Sequence, residues 1–380
     1  MGVTGCSVAN EIAQDADLIV GVGTRYTDFT TSSKWLFRED AEFVNINVSE
    51  FQAAKLDVIP VVADARDALE KLYDALDGYR ASYTGEIYNA LSDWNKEYDR
   101  LASIEFEFGK GGGDEGYIPE INDANAGSAL EFANNVGSFL TQTTVFVGSF
   151  LTQTTVLAAF NRMIDAERGV IGASGSLPGG MQRMWRVGSL DTYNMEYGCS
   201  CVGYEVSGAL GVKFAVGDNH EVYAMVGDGA FVMLHSELLT AVQEHVKINV
   251  VVFDNSSFGC INNLQVAQGN SSFCTELRFR NPNTGKHDGK FISVDFAGIA
   301  RAYGARAFTI RSIAELEKAF AEAKKITGVP VVFDIKVMPK SMTDGYGSWW
   351  RVGSAEVGGT EANRAAWTNH LEHERSARKY

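Results

Sequence analysis

The sequence predicts an α/β protein built from doubly wound, mostly parallel sheets. Three observations favour this class: short apolar runs alternate with segments of helical periodicity, several runs contain almost no polar residue, and glycine-containing turns follow them. Continuously apolar strands between helices are typical of a parallel sheet that is covered on both faces. At 380 residues, the chain is long enough for two or three domains.

The first predicted region, residues 1–80, alternates helices with strands. Helical spacing at Val8, Ile12 and Ala16 precedes the apolar run 18–22. Two further strands are predicted at 43–48 and 58–62. A helix follows, with Asp64 as its N-cap, because its apolar residues recur at helical spacing. This region reads as part of a doubly wound layer, a partial central domain.

Residues 81–155 read as a linker. A helix is predicted over 88–104, and the glycine-rich stretch 108–113 predicts a flexible connection. The ten residues VGSFLTQTTV occur at 136–145 and again at 147–156. Two copies without a third are not typical of a solenoid, so we interpret them as a recent duplication or an assembly artefact. Only one copy is expected to fit the native topology.

A second domain is predicted over residues 156–360, followed by a C-terminal tail at 361–380. Its predicted strands are 170–171, 222–226, 248–253 and 329–337. Its predicted helices are 204–212, 236–244, 296–303 and 313–325. The regular alternation again indicates a parallel sheet.

Charge and cysteine content narrow the function classes. The chain has 33 Lys and Arg against 48 Asp and Glu, a net charge of −15. This balance argues against a nucleic-acid or anionic-membrane partner, since either would require a basic patch. Five cysteines are too few for a disulfide framework, and no apolar run approaches the roughly 20 residues that cross a bilayer. We therefore predict a cytoplasmic protein with reduced thiols.

Two polar clusters follow predicted strands of the second domain. Gly227, Asp228, Gly229 and Ala230 follow strand 222–226, and Asp254-Asn255-Ser256-Ser257 follows strand 248–253. Open α/β sheets bind ligands at the carboxyl ends of their strands, and glycines let backbone N–H groups approach a phosphate. The side chains of Asp228 and Asn255, with a carbonyl at about Ser257, form an oxygen set suited to Mg²⁺. Gly-Asp-Gly by itself is more often only a turn.

Both clusters together resemble the thiamine-diphosphate signature of the acetolactate synthase and pyruvate decarboxylase superfamily. The usual second motif is Asn-Asn, whereas Asp254 stands first here, and Asn255 retains the position of the metal-binding Asn. The resemblance implies thiamine diphosphate and Mg²⁺ as cofactors, with Asp228, Asn255 and Ser257 as metal ligands. Segments 16–26, 45–48 and 61–65 resemble the central domain of those enzymes.

Segment 196–205 resembles the stretch that passes under the cofactor in that superfamily. The resemblance implies that Val202 is the apolar wedge that keeps the cofactor bent and that the Ser200 carbonyl faces its aminopyrimidine. Without the resemblance, Val202 would be interpreted as core. The string 172–180 adds Ser176 and Leu177 as cofactor-binding residues.

Longer strings resemble one hydrolase branch of the superfamily; they are 172–179, 182–185, 195–198, 234–238, 258–265 and 347–353. That branch implies hydrolysis of a C–C bond that opens a cyclic 1,2-dione to a 5-deoxy sugar acid in myo-inositol catabolism. An acetolactate-synthase-like carboligase is the alternative, and it is disfavoured by the strings Ser-Leu-Pro-Gly-Gly and Trp-Trp-Arg-Val-Gly.

The superfamily's N-terminal pyrimidine-binding domain has no counterpart in the sequence. The chain is therefore expected to resemble the C-terminal portion of a longer protein, and a non-catalytic fragment that needs a partner domain is another alternative. Since the family's sites form between subunits, a homo-oligomer, or a partner supplying that domain, is expected.

Several further residues have two interpretations each. His235 is a candidate catalytic proton donor or a packing residue of the following helix. Arg183 is a candidate substrate contact or a solvated surface charge. Cys199 and Cys201 are more typical of small-residue packing than of a zinc site. Trp349 and Trp350 close the site or form a subunit contact.

Overall fold

The computed structural model describes residues 1–82, 85–103, 106–107, 149–164, 169–172, 176–196, 199–339, 341, 343 and 346–379. It divides into two compact units, one of residues 1–99 with 345–380 and one of residues 100–344. The division falls after residues 99 and 344, whereas the predicted boundaries are 80, 155 and 360. The chain returns to the first unit at its C-terminus. In the described part of the chain, no helix combines the length and apolar character needed to cross a membrane.

The first unit contains a three-stranded parallel sheet. Its strands are β1 (Leu18–Val22), β2 (Glu42–Asn47) and β3 (Ile59–Val62), and they lie in the order β1-β2-β3. Its described helices are Ser7–Asp15, Asp28–Thr31, Glu50–Ala53, Ala65–Ala75, Glu361–Ser376 and most of Glu86–Ala102, whose last three residues fall in the second unit. The three predicted strands and the predicted helices of this region are confirmed to within a few residues.

Aromatic residues form the core beneath this sheet. The rings of Tyr26 and Phe37 meet Phe43 edge-on, with centroids 5.7 Å and 5.0 Å away. The helix Ala65–Ala75 begins as predicted, because the Asp64 carboxylate accepts the N–H group of Arg66 at 2.8 Å.

The C-terminal residues, predicted as a tail, form a 16-residue helix of the first unit. The Thr360 hydroxyl accepts the N–H of Asn363 at 3.1 Å and caps this helix. Trp349 stacks on His373 with centroids 5.2 Å apart, and Trp350 lies 4.8 Å from Phe29. Both tryptophans therefore pack inside the first unit.

The second unit contains a short antiparallel pair and a larger, six-stranded sheet. The short pair joins β4 (Phe106–Glu107) to β5 (Ser149–Phe150). The strands of the larger sheet are β6 (Gly169–Gly172), β7 (Tyr193–Met195), β8 (Val222–Gly227), β9 (Asn249–Asp254), β10 (Arg306–Ile310) and β11 (Val331–Lys336). They lie in the order β10-β11-β9-β8-β6-β7, and every pairing is parallel. The predicted fold class is confirmed.

The helices of the second unit cover this sheet. Those described are Gln153–Met163, Ser176–Met184, Glu205–Val216, Asp228–Met233, Glu237–Gln243, Gly259–Ala267, Phe296–Ala302 and Ile313–Ala323. Strands β8, β9 and β11 are buried almost throughout, as their apolar sequences predict. The sequence patterns missed the strands β7 and β10, and they missed the helices that begin at Gln153, Ser176, Asp228 and Gly259.

The glycine-rich stretch 108–113 and the first copy of the repeat, 136–145, lie outside the described residues. The second copy is described from Ser149, where it forms β5 and then begins the helix Gln153–Met163. The first turns of this helix are buried, so the described part of the second copy belongs to the folded second unit.

Candidate functional site

The candidate site lies at the carboxyl edge of the six-stranded sheet. The chain leaves β6 towards β7 and leaves its neighbour β8 towards β9, in the opposite direction, and this arrangement opens a crevice at this edge between β6 and β8. The helix Asp228–Met233 follows β8, and the polar loop 255–257 follows β9. Both predicted clusters therefore follow the carboxyl ends of parallel strands, as the sequence predicts, and the structure shows that these two strands are neighbours.

The side chains of Asp228 and Asn255 converge on one backbone N–H group. The Ser257 nitrogen donates to Asp228 Oδ2 at 3.0 Å and to Asn255 Oδ1 at 3.0 Å. The Ser257 hydroxyl also donates to Asn255 Oδ1, at 2.9 Å. All three residues are at most 7% exposed. Folding thus brings a carboxylate and an amide oxygen from two strand ends into one buried group.

Glycines shape the turn that carries Asp228. Gly227 is the extended N-cap of the helix, and the Gly229 N–H donates to Asp228 Oδ1 at 2.8 Å. A Cβ atom on Gly229 would stand 2.6 Å from the Phe258 ring, so a side chain at this position would collide with it. Ala230 is buried in the same turn.

A buried ion-pair network lies directly behind the loop 255–257. Lys336 Nζ contacts Asp254 Oδ2 and lies 3.0 Å from Asp334 Oδ1. It also donates to the Val294 carbonyl at 2.8 Å. Asp254, Asp334 and Lys336 are each at most 2% exposed. Asp254, which departs from the family pattern, therefore has a lysine partner on the neighbouring strand.

The electrostatics of this edge suit a bound cation. Burial and the carboxylate of Asp254 raise the pKa of Asp228 well above its usual range. Burial also raises the pKa of Asp334 to about 6, although Lys336 opposes the shift. Lys336 contacts two of these three buried carboxylates, Asp254 and Asp334, and has no such contact with Asp228 among the described ion pairs. A divalent cation would favour the ionised form of Asp228.

A site of this kind would depend on amide and carbonyl oxygens. Within the described ranges, no group of three His, Cys, Asp or Glu side chains is placed to hold a metal ion. A Mg²⁺ site formed by the Asp228 carboxylate, the Asn255 amide oxygen and the Ser257 carbonyl needs only one such side chain, so it fits the residues present.

The segment predicted to pass under the cofactor lies beside the helix Asp228–Met233. The Val202 N–H donates to the Ser200 carbonyl at 3.0 Å, and Ser200 has a φ of 59°. Gly203, with a φ of 100°, packs against Leu234 and the carbonyl of Ala230. Val202 is 39% exposed, so it is not the buried core residue that its sequence alone would suggest.

The other predicted residues lie in separate elements. Ser176 and Leu177 open the helix Ser176–Met184, and Leu177 is buried there. Arg183 in the same helix is buried and donates to the Thr343 carbonyl at 3.0 Å, which contradicts the solvated surface interpretation.

His235 follows the helix Asp228–Met233 and is partly buried. Its ring lies 5.2 Å from Phe231 and 5.7 Å from Tyr303. The His235 carbonyl accepts the N–H of Leu238 at 3.1 Å. These contacts favour the packing interpretation, and a catalytic role for His235 stays a prediction.

Two buried charged features were missed from the sequence. Glu205 is 2% exposed, burial raises its pKa to about 7, and its Oε2 atom has no hydrogen-bond partner among the described residues. Lys336 was missed although Asp334 and Lys336 interrupt an otherwise apolar strand. Charged residues inside such a strand are a usable signal, since buried charges require partners.

Two family models match the chain in the regions that carry these features. Residues 173–335 match the thiamine pyrophosphate enzyme C-terminal TPP binding domain, and residues 1–72 match the thiamine pyrophosphate enzyme central domain. The site described above falls inside the first match. The chain belongs to the thiamine pyrophosphate enzyme family.

Relatives that match the whole chain carry a more particular name. A 3D-(3,5/4)-trihydroxycyclohexane-1,2-dione hydrolase of Geobacillus thermodenitrificans is 50% identical over 380 residues. Hydrolases with that name are 49% identical in a strain of Bacillus cereus and 48% identical in a strain of Bacillus thuringiensis, each over 383 residues. Each match covers 100% of this chain and 56% of the relative.

Proposed function

We propose that this chain binds thiamine diphosphate through Mg²⁺ and takes part in hydrolysing a C–C bond of a cyclic 1,2-dione. The observation that carries the proposal is the convergence of Asp228 and Asn255 on the Ser257 N–H group inside the matched TPP-binding domain. The names of the relatives support 3D-(3,5/4)-trihydroxycyclohexane-1,2-dione as the substrate. The proposed product is 5-deoxy-glucuronate, and we propose that the reaction belongs to myo-inositol catabolism.

Each residue of the site has a proposed role. Asp228, Asn255 and the Ser257 carbonyl would hold Mg²⁺, which would bridge to the diphosphate. Gly227, Gly229 and Ala230 would let the backbone approach that diphosphate. When bound, thiamine diphosphate supplies a nucleophilic carbon and an electron sink for breaking the C–C bond.

Residues of two other segments would orient the cofactor. Val202 would support it as an apolar wedge, and its partial exposure leaves the side chain accessible to a ligand. The Ser200 carbonyl would face the aminopyrimidine of the cofactor, and Ser176 and Leu177 would contribute further contacts. His235 remains a candidate proton donor.

Calorimetric titration with thiamine diphosphate, with and without Mg²⁺, tests the proposed site. The parent chain should bind the cofactor only with Mg²⁺, and Asp228→Asn should lose binding because it removes the carboxylate ligand. Asp218→Asn is the matched control, since the Asp218 side chain is 98% exposed. Thiamine diphosphate binding that changes neither with Mg²⁺ nor with Asp228→Asn would contradict the proposed site.

The proposed reaction needs a separate assay. Acid release from the dione, with pyruvate turnover as the comparison, distinguishes the hydrolase from a carboligase. Cofactor binding without turnover of either substrate would favour a cofactor-binding portion that acts with a partner domain. Homo-oligomer formation, proposed from the family resemblance, is tested by analytical ultracentrifugation.

A further inference from the structure

Lys336 occupies an unusual position for a lysine. It ends β11 and lies in register with Asp254, the last residue of β9. Its ammonium group is enclosed by Asp254, Asp334 and the Val294 carbonyl, and its side chain is 2% exposed. Enclosing a lysine this deeply carries a large desolvation cost, which its ion pairs must offset.

The two carboxylate oxygens of Asp254 have different partners. Oδ2 contacts Lys336, whereas Oδ1 accepts the N–H group of Ser256 at 3.1 Å. Ser256 has a φ of 54°, a left-handed conformation that a residue other than glycine adopts only when its surroundings hold it there. Asp254 therefore joins Lys336 to the strained residue of the loop.

The loop conformation decides where the proposed metal ligands lie. Ser256 stands between Asn255 and Ser257, and the Ser257 N–H contacts both Asp228 and Asn255. A contact chain thus runs from Lys336 through Asp254 and Ser256 to these ligands.

From this chain of contacts we propose that Lys336 is a positioning residue for the metal-binding loop, acting through Asp254. The proposal rests on the Mg²⁺ and thiamine diphosphate site proposed above. It also gives a reason for Asp254 where the family pattern has Asn: the carboxylate binds a lysine with one oxygen and the loop with the other.

Lys336→Met should change the Kd for Mg²⁺ in one direction if Lys336 acts only through its charge, and in the other direction if it positions the loop. Removing a positive charge close to a cation site would tighten Mg²⁺ binding if only the charge mattered. If Lys336 positions the loop, its loss raises the Kd for Mg²⁺ by about tenfold or more, as is typical when a partner of a metal ligand is removed. The direction of the change in the Kd for Mg²⁺ therefore distinguishes a charge effect from a positioning role.

The experiment is a calorimetric titration of the full chain with Mg²⁺ in the presence of thiamine diphosphate. Lys247→Met is the matched control, because Lys247 is also buried and paired, with Glu221 at 2.7 Å, but precedes β9 at the opposite edge of the sheet. Both substitutions should lower the Tm without Mg²⁺, whereas only Lys336→Met should raise the Kd. A second substitution, Asp254→Asn, should restore the Kd of Lys336→Met to within about threefold of the parent, since Asn accepts the Ser256 N–H without needing a cation.

Any of three results would overturn the positioning role alone. These are a Kd for Mg²⁺ that is unchanged or lower in Lys336→Met, a Kd that rises equally in Lys247→Met, and a Kd that does not recover in the double variant. A parent chain that binds neither Mg²⁺ nor the cofactor would overturn the proposed site as well. If Lys336→Met does not fold, Asp254→Asn and Asp254→Ala provide the test. Only Ala removes the acceptor for Ser256, so equal Kd values for these two would overturn the proposal.

Discussion

Glu205 is expected to make the stability of the second unit depend on pH. It is the first residue of the helix Glu205–Val216 and is 2% exposed. Burial raises its pKa from 4.5 to about 7, against the opposing effect of the N–H groups of Glu205 and Gly203. Between these values the folded chain holds a proton that the unfolded chain releases. The free energy of unfolding therefore falls as the pH rises through this range.

The magnitude follows from the same pKa values. A difference of one pKa unit corresponds to about 1.36 kcal/mol. The shift from 4.5 to about 7 therefore lowers the free energy of unfolding by about 3 kcal/mol at pH 8.5, where Glu205 is ionised. Glu205→Gln removes the titrating group and keeps the shape. The free energy of unfolding of the variant should exceed that of the parent by about 3 kcal/mol at pH 8.5 and by less than about 1 kcal/mol at pH 5.

Urea denaturation followed by circular dichroism between pH 5 and 8.5 measures this difference. Glu237→Gln is the control, because Glu237 also begins a helix but is only partly buried. It should change the free energy of unfolding by less than about 1 kcal/mol at each pH. A constant difference between parent and Glu205→Gln across the pH range would refute the reasoning.

Two further pairs of substitutions test local packing and helix capping. A Cβ atom on Gly229 would collide with the Phe258 ring, so Gly229→Ala should cost about 1–3 kcal/mol in urea denaturation and weaken cofactor binding in calorimetry. Gly211→Ala, with nothing within 4 Å of its Cβ position in a helix, should instead stabilise the chain by up to about 1 kcal/mol, and the reverse order would contradict this. Thr360→Ala should lower the free energy of unfolding by about 1 kcal/mol because the cap to Asn363 is lost. Thr360→Ser keeps the hydroxyl as control, and equal thermal midpoints for the two variants would argue against the cap.

Much of the fold was predictable because its signals are local. The apolar run at Val222–Gly227 and the capped helix after Asp64 are each encoded within a dozen residues. The C-terminal helix was missed because its residues are mostly polar, and its position depends on contacts of Trp349 with His373 in the first unit.

The sequence by itself determined the parallel α/β class and the placement of Asp228 and Asn255 at the carboxyl ends of two parallel strands, which the structure shows to be neighbours. It did so because apolar periodicity locates strands, and parallel strands bring their carboxyl ends to one edge. Only the tertiary structure decided that Lys336, 82 residues away, pairs with Asp254 and that Glu205 is buried. Which charged groups meet, and which lose water, depends on packing between distant segments, and the pKa values and the proposed positioning role follow from that packing.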